Sequence, residues 1–358
     1  MTLDTYYTLG RSGLRVSPLA LGTMTFGQSD WGADAETSGQ IFDAYLEAGG
    51  NFVDTANVYS GGASEELVGK LLAERGVRDR TVLSTKFTLG PRPGDPNLAG
   101  NGRKAMLRCL EDSLRRLGTE YIDLYIMHAW DGLTPVEEVM RGLDDLVSSG
   151  KVRYVAFSDV PAWYAARAQT LAEWRDYAPL IALQLEYSLT ERGLEYEFPA
   201  LAQELGMGLM TWGPLAKGLL SGKYSADASA AEDLPDGRVK VAAIHRPSQD
   251  NRSERNWRIV TELAAVAKEM GRSPAEVAVN WVANRPAVGS VLLGASKLHQ
   301  IQSTVTSLDF TLPEELRDRL DEVSAPPAAV PYSFLTLLQG GLNADIRNKR
   351  GGYNTTAR

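Results

Sequence analysis

The chain has 358 residues, of which 44% are apolar and 23% charged, and its formal net charge is −8. This length fits one large α/β barrel or two ordinary domains, and the acidic balance argues against a protein that binds nucleic-acid phosphates. No apolar run approaches the roughly 20 residues that cross a bilayer, the first residues lack a signal-peptide pattern, and the single Cys109 excludes an intrachain disulfide, so we expect a cytoplasmic protein.

Strand-like and helix-like segments alternate along the chain, which is typical of a parallel sheet with helical crossovers. A short hairpin is predicted first, from Tyr7–Leu9 and Leu14–Val16. Eight core strands are predicted near Leu19–Leu21, Phe52–Asp54, Val82–Thr85, Ile122–Met127, Val152–Phe157, Ala182–Leu185, Gly208–Trp212 and Ser290–Leu293. Helical periodicity fills the intervals, at Ala35–Ala48, Glu65–Glu74, Arg103–Leu117, Pro135–Ser148, Ala162–Glu173, Phe198–Leu205 and Glu254–Met270.

Such a pattern fits a closed barrel or a doubly wound sheet. The hairpin and the lack of a mid-chain linker favour a single (β/α)8 TIM barrel over residues 1–325. Two helix starts are marked by a hydroxyl, a proline and a glutamate, at Thr134–Glu137 and Ser273–Glu276. The second predicts an extra helix, Pro274–Ala283, before the last strand.

Two segments depart from this alternation. The connection at residues 213–253 is too long for a turn and is a candidate lid or cofactor clasp. The C-terminal tail, residues 326–358, is predicted to be irregular, with apolar side chains that pack over the barrel mouth or against a partner subunit. Its end, Arg347–Arg358, is expected to be mobile.

Three successive predicted strands end on Asp54, Lys86 and His128, and Tyr59 follows the first of them. Strand ends of a parallel barrel converge on one mouth, where chemistry is done. An ammonium lowers the pKa of a phenol and a carboxylate keeps that ammonium charged. We therefore expect Tyr59 to have a lowered pKa and to protonate a forming alkoxide.

Each of these residues also has an ordinary structural explanation. Asp54 could cap a turn, Lys86 could be solvated, Tyr59 could be a wall residue and His128 a core residue. Their occurrence together at consecutive strand ends favours catalysis.

These motifs resemble the aldo-keto reductase superfamily. The segment DTANVYSGGASE at residues 54–65 is similar to its first signature, and LRRLG at 114–118 with YIDLY at 121–125 and His128 is similar to its second. GKVRY at 150–154 resembles the start of its fifth strand. Within the superfamily, these motifs most resemble the branch that contains potassium-channel β-subunits and related bacterial reductases.

The resemblance implies that the barrel binds NADPH, with NADH a less favoured cofactor, and that Tyr59 donates the proton while His128 orients the substrate. It places Ser158, Asp159 and Gln184 around the nicotinamide amide, and Asp159 stands where the family often has asparagine. The remaining cofactor positions that it implies are Thr23, Met24, Asp54, Trp212, Gly213, Pro214, Leu215, Lys217, Lys223, Gly294, Ser296, Lys297 and Gln300. Among these, Trp212 would stack on the nicotinamide and Lys297 would meet the 2′-phosphate.

Other classes fit less well. Gly100–Ala105 matches a Rossmann glycine pattern, but an irregular loop and not a strand precedes it. The pair of facing carboxylates that a barrel glycosidase needs is missing, and the three histidines lack metal-ligand spacing. A cofactor-binding regulatory or sensor subunit with slow turnover remains the main alternative.

The substrate is expected to be a small-molecule carbonyl or alcohol. No nucleic-acid or membrane partner is expected for the protein, and the chain could form an oligomer. An apolar and aromatic pocket wall is predicted, which suits a bulky carbonyl. Its predicted residues are Met24, Trp31, Trp130, Tyr332 and Phe334.

Overall fold

A computed structural model of the protein describes residues 3–28, 31–90, 94–225, 234–235, 237–245 and 250–342. Eight parallel strands of the described chain form a closed barrel, in chain order. The last strand pairs with the first, Val291 opposite Leu19, which closes the ring. The predicted barrel is confirmed and the doubly wound alternative is excluded. The barrel strands are β3 (Leu19–Gly22), β4 (Phe52–Asp54), β5 (Val82–Phe87), β6 (Ile122–Met127), β7 (Val152–Ser158), β8 (Leu180–Glu186), β9 (Gly208–Trp212) and β10 (Val288–Gly294).

Helices surround the barrel and fill the intervals between strands. The helices predicted between the barrel strands are all present, together with four that the sequence reading did not identify: α7, α10, α11 and α12. The helices of the described residues are α1 (Ala35–Glu47), α2 (Ala63–Arg75), α3 (Arg103–Leu117), α4 (Val136–Ser148), α5 (Ala162–Arg175), α6 (Phe198–Leu205), α7 (Arg238–His245), α8 (Glu254–Met270), α9 (Pro274–Ala283), α10 (Leu298–Thr304), α11 (Glu314–Val323) and α12 (Tyr332–Leu342).

Barrel strands are buried on both faces, which explains their nearly continuous apolar sequences. Along β6, Leu124 and Ile126 belong to the cluster inside the barrel. Tyr125 and Met127, one residue out of phase, belong to the larger cluster between strands and helices. Successive side chains of a strand point to opposite faces, so one short apolar run supplies both cores.

The N-terminal hairpin, β1 (Tyr7–Thr8) with β2 (Arg15–Val16), covers one end of the barrel. Its turn lies against the beginnings of β8 and β9, where a Cβ on Gly10 would meet Ile181 O at 2.2 Å. Gly10 also has φ of +58°, a conformation that glycine adopts without strain. The hairpin covers the end at which these strands begin, so chemistry is confined to the opposite end, the mouth.

The two predicted helix starts have different outcomes. Ser273 and Glu276 form a complete capping box at the start of α9, as predicted. Thr134 does not cap α4, because its hydroxyl donates to Asp131 Oδ2 at 2.6 Å. Asp131 thus organises the loop before α4, and the predicted hydroxyl cap is wrong.

The two irregular segments contain more structure than the sequence indicated. The connection after β9 includes a 3-10 helix, Ala216–Ser221, and α7. The tail contains α12, so the prediction of an irregular tail is wrong. The predicted mobility of Arg347–Arg358 concerns residues outside the described ones. None of the helices in the described chain has the length and apolarity needed to span a membrane.

The glycine pattern at Gly100–Ala105 leads into α3 and not into a dinucleotide-binding βαβ unit. The nearest preceding strand in the described residues, β5, ends at Phe87, and Gly102 is the residue that flanks α3. The prediction that this motif is not a Rossmann fingerprint is consistent with that placement.

Candidate active site

Four predicted residues meet at the barrel mouth around one buried ammonium. Lys86 Nζ donates to Asp54 Oδ2 at 2.5 Å, to the Thr55 carbonyl at 2.8 Å and to Tyr59 Oη at 3.1 Å. Lys86 is fully buried and Asp54 is 1% exposed. Because Tyr59 Oη accepts from Lys86, its own proton is free to point elsewhere in the mouth. This is the connectivity of a proton donor backed by a cation.

A short 3-10 helix, Tyr59–Gly62, presents the phenol. Within it Ser60 and Gly61 have left-handed backbone, with φ of 52° and 64°. Ser60 is held in this conformation by its hydroxyl, which donates to the Phe26 carbonyl at 2.8 Å. The turn therefore fixes Tyr59 directly above the end of β4.

The pKa of Tyr59 differs in direction from the prediction. Burial raises the pKa of this phenol, and the nearby Lys86 ammonium offsets only part of that effect while Asp54 adds to it. The predicted lowering is wrong for this structure, because desolvation outweighs the attraction of Lys86. A raised pKa keeps Tyr59 protonated at neutral pH, as a donor must be.

Lys86 remains a cation despite its burial. Burial lowers the pKa of its ammonium, but the combined effect of Asp54 and Tyr59 raises it above its ordinary value. Removing this charge from water is compensated by one full salt bridge and two further acceptors. Lys86 is thus a fixed positive charge beside the phenol.

Two more side chains hold Asp54 in place. Ser84 Oγ donates to Asp54 Oδ1 at 2.7 Å, and Gln184 Nε2 donates to the same oxygen at 3.1 Å. The sequence reading missed Ser84. Its position two residues before Lys86 puts both side chains on the same face of β5, and this spacing was the available signal.

His128 faces Tyr59 across the mouth. The two ring centroids are 5.9 Å apart and the rings are nearly perpendicular, at 80°. Burial, with a contribution from Lys86, lowers the pKa of His128 to about 3, so the imidazole is neutral at physiological pH. Its Nδ1 is buried without a hydrogen-bond partner among the described residues. A neutral imidazole can hydrogen-bond a carbonyl oxygen without competing for the proton.

The next strand ends carry a second group of polar side chains. Ser158 Oγ, at the end of β7, is buried and lies near the Asp159 carboxylate. Trp212, at the end of β9, is half-buried, and its Nε1 donates to Asp159 Oδ1 at 3.2 Å. A buried hydroxyl and an indole at nearby strand ends suit a planar, polar ring, and a nicotinamide is such a ring.

Comparison with known proteins agrees with this geometry. The model of the "Aldo/keto reductase family" matches residues 18–325. The chain belongs to the aldo/keto reductase family. It is therefore a nicotinamide-dependent oxidoreductase, and the general activity of its relatives is carbonyl reduction.

Three relatives illustrate its neighbourhood in the family. Norsolorinic acid reductase of Aspergillus flavus is 34% identical, covering 90% of this chain and 82% of its own. Aryl-alcohol dehydrogenase [NADP(+)] of Phanerodontia chrysosporium is 32% identical, over 95% and 90%. A probable voltage-gated potassium channel subunit beta of Oryza sativa subsp. japonica is 36% identical, over 89% and 96%. The last relative confirms the resemblance to the potassium-channel β-subunit branch.

In this reductase the segment after β9, where cofactor contacts were predicted, has a run of left-handed backbone. Ala216, Lys217 and Gly218 are consecutive residues with left-handed backbone, at φ of 49°, 60° and 103°, and Gly213 precedes them at 74°. Pro214 is buried and Leu215 is partly buried, while Lys223 is exposed and lies beside the Tyr224 ring. The N–H groups of Ala216 and Gly218 donate to the carbonyls of Gly213 and Leu215, both at 2.8 Å, so the turn is held by its own hydrogen bonds.

The adenosine end is expected at the loop after β10. Lys297 is exposed and Ser296 is partly exposed, and both follow Gly294. The Gln300 side chain is already engaged, because its Oε1 accepts from the backbone N–H of Ser296 at 2.8 Å and of Lys297 at 3.2 Å. Gln300 therefore orders this loop, in addition to any contact with adenine.

At the first barrel strand the two expected cofactor residues differ. Thr23 is fully buried, and its hydroxyl donates to the Asp54 carbonyl at 3.1 Å and pairs with Ser64. Its side chain thus supports the strand end that carries Asp54. Met24 is only partly buried.

The predicted pocket walls have varied surroundings. Trp130 packs edge-on against Trp163, with ring centroids 5.7 Å apart. Trp31 lies under the Arg238 guanidinium, 5.0 Å from its ring centre, so α7 reaches the loop after β3. Two tail residues were also predicted: Tyr332 stacks on Tyr196, whereas Phe334 is 57% exposed.

Proposed function

We propose that this reductase uses NADPH to reduce an aldehyde or ketone to an alcohol, reversibly, with Tyr59 as the proton donor. The observation that carries the proposal is that one ammonium, Lys86 Nζ, binds both Asp54 and Tyr59 at the mouth of the barrel. The buried Ser158 hydroxyl and Trp212, at nearby strand ends, support a nicotinamide site in the same mouth.

The proposed steps follow from the charges of these side chains. When bound, the cofactor supplies hydride to the carbonyl carbon. The neutral His128 orients the carbonyl oxygen, and Tyr59 gives that oxygen its proton. Lys86 stabilises the phenolate that remains, because it is already 3.1 Å from Tyr59 Oη. Such assistance is worth roughly 10²–10⁴-fold in rate.

Replacing Tyr59 by phenylalanine tests the chemical step. Tyr59→Phe removes the proton donor but keeps the ring, so turnover should fall at least ~100-fold while NADPH affinity stays within about twofold. Turnover is followed at the nicotinamide absorbance with a panel of carbonyls, and affinity by calorimetry. Near-normal turnover in Tyr59→Phe would show that another group donates the proton.

The preference for NADPH is proposed from the exposed Lys297 and the adjacent Ser296, since an ammonium and a hydroxyl can bind the 2′-phosphate. One relative also carries NADP(+) in its name. Lys297→Met should weaken NADPH about tenfold and NADH much less, because only NADPH has this phosphate. The matched control is Lys70→Met, on the outer surface of α2. Equal weakening of both cofactors by Lys297→Met would exclude this role.

For the substrate we propose a bulky aromatic or alicyclic carbonyl. Support comes from the aromatic side chains around the mouth, above all the Trp130 and Trp163 pair, and from the aromatic substrate class in the name of one relative. A screen of aromatic, aliphatic and charged carbonyls with NADPH tests this choice. Higher kcat/KM for small charged carbonyls would overturn it.

A regulatory or sensor subunit is the second candidate, and the potassium-channel-subunit relative favours it. In that case the chain would bind the cofactor tightly and turn over slowly with every carbonyl. The same screen separates the two functions, since a reductase turns over at least one carbonyl rapidly and a sensor turns over all of them slowly.

A further inference from the structure

Asp159 is held by three neighbouring strand ends at the mouth. Its backbone N–H donates to the Gln184 carbonyl at 3.2 Å, and its backbone carbonyl accepts from the backbone N–H of Trp130 at 3.3 Å. Its Oδ1 accepts the Trp212 indole N–H at 3.2 Å. Its φ of 47° is left-handed, which directs the side chain away from the course of β7. The carboxylate is therefore fixed in the mouth and does not swing as a surface side chain would.

The Asp159 carboxylate lies within electrostatic reach of the reacting groups. Its charge contributes to the raised pKa of Tyr59. Burial raises the pKa of Asp159 itself to about 6, while the hydrogen bonds from Trp212 and Ser158 and the charge of Lys86 oppose that shift. At pH 7.5 the site thus contains a carboxylate that Lys86, already paired with Asp54, does not neutralise.

The other charged groups around Asp159 come from neighbouring elements. Glu186, at the end of β8, interacts with Asp159, and burial raises its pKa as well. Lys217 and Arg238 act on Glu186 from the long connection. His128, with a pKa of about 3, stays neutral throughout the range considered. Among the described groups, Asp159 is therefore the candidate for a pH effect near 6, and Glu186, whose pKa is also raised, is the second group to test.

Hydride must pass between the cofactor ring and the carbon whose oxygen Tyr59 protonates, so the nicotinamide has to lie in this same mouth. Its ring is a cation in NADP⁺ and neutral in NADPH. A fixed carboxylate attracts the first and leaves the second nearly unaffected. We propose that Asp159 is a specificity-determining residue that strengthens binding of NADP⁺ relative to NADPH. This inference rests on the proposed function.

Asparagine is a clean replacement at this position. The amide oxygen that Asp159→Asn introduces can still accept the indole N–H, and asparagine tolerates left-handed backbone as well as aspartate does. The substitution removes the charge while keeping the size and the bond to Trp212. Asp159→Glu keeps the charge and serves as the matched control.

The experiment measures the dissociation constants of NADP⁺ and NADPH by calorimetry at pH 7.5. In Asp159→Asn, NADP⁺ should bind about tenfold more weakly, equivalent to ~1.4 kcal/mol, and NADPH should change less than threefold. Asp159→Glu should keep most of the wild-type ratio. A ratio in Asp159→Asn within twofold of the wild type would overturn the proposal.

A pH series separates a charge effect from a structural one, because a residue with only a structural role would not change the pH dependence of the affinity ratio. From pH 5.5 to 7.5 the wild-type ratio should shift toward NADP⁺ as Asp159 ionises, and Asp159→Asn should remove this shift. The 2′-phosphate also titrates near pH ~6, but it is common to both cofactors and cancels in the ratio. Glu186→Gln should retain the shift.

The alternative outcomes are equally decisive. Loss of the shift in Glu186→Gln and its retention in Asp159→Asn would assign the charge effect to Glu186 and overturn the proposal. If Asp159→Asn does not fold, the wild-type series decides, since a flat ratio overturns it. Wild-type protein that binds both dinucleotides but reduces no carbonyl contradicts the proposed function, while the ratio still tests Asp159.

Discussion

The buried pair of Asp54 and Lys86 supports the chemistry of the site but costs desolvation free energy. Two charges with almost no exposure lose their hydration, and each depends on the other for compensation. Removing one partner therefore leaves an uncompensated charge in the barrel. This coupling predicts that a single variant loses more stability than the double variant.

Lys86→Met should lower the free energy of unfolding by about 3–5 kcal/mol, because the Asp54 carboxylate would lose its main partner. The double variant Asp54→Asn/Lys86→Met should recover a large part of that loss, since it contains no unpaired charge. Neither should turn over carbonyls. Urea unfolding of the single and double variants measures the coupling, and additive losses would contradict it.

His128 makes stability depend on pH in a defined direction. The pKa of its imidazole is lowered from 6.5 to about 3 in the folded state, so below pH 6.5 the unfolded chain binds more protons. Stability therefore falls as pH decreases, by about 2 kcal/mol between pH 6.5 and 5. His128→Gln should show a shallower decline than wild type over this range. Parallel urea-unfolding curves for the two proteins would contradict the assignment.

The sequence identified the main residues of the site but did not give the direction of the Tyr59 pKa shift. Asp54, Lys86 and His128 end consecutive strands, and the structure brings them together with Tyr59. The direction of the Tyr59 pKa could not be predicted, because it depends on how much protein surrounds the phenol. The bond from Gln184 to Asp54 spans 130 residues in sequence and leaves no local signal.

Element boundaries followed local signals where these were strong. The barrel strands are apolar runs bounded by turns, and the capping box at Ser273 marks α9. α11 is largely charged, but Leu316, Leu320 and Val323 recur at helical spacing, so the sequence did contain a signal for this helix. α12 follows a proline-rich stretch, which indicated an irregular tail. The pairing of β10 with β3, which closes the barrel, joins segments about 270 residues apart and is not visible in either strand alone.

The capping box of α9 allows a prediction at this scale. Ser273 Oγ accepts from Glu276 N–H at 3.2 Å, and Glu276 Oε2 accepts from Ser273 N–H at 2.9 Å. Ser273→Ala should lower the free energy of unfolding by about 1 kcal/mol. Thr261→Ala, in the exposed interior of α8, is the control and should not destabilise the protein, because alanine has the higher helix propensity. Equal stabilities of Ser273→Ala and wild type would show that this cap is dispensable.

For the whole molecule, the open question is whether the barrel needs its tail. The barrel is closed, its lower end is covered by the hairpin, and α11 is tied back through Arg192 Nη1, which donates to Ser324 Oγ at 2.8 Å. Arg255 Nη2 donates to the Ser324 carbonyl at 2.8 Å. These anchors end at the boundary where the tail begins.

Beyond that boundary, α12 exposes much of its apolar surface, with Leu337 72% exposed. At its start, Tyr332 stacks on Tyr196, 5.2 Å between centroids, and hydrogen-bonds Glu197, while Tyr196 Oη donates to the Pro327 carbonyl. A chain ending at Ala325 should therefore fold and lose no more than about 1 kcal/mol of unfolding free energy, within the range of surface changes. It should also aggregate less, because an exposed apolar helix is removed. Thermal unfolding and light scattering of the two chains test this, and a loss of several kcal/mol would mean that the tail belongs to the barrel's core.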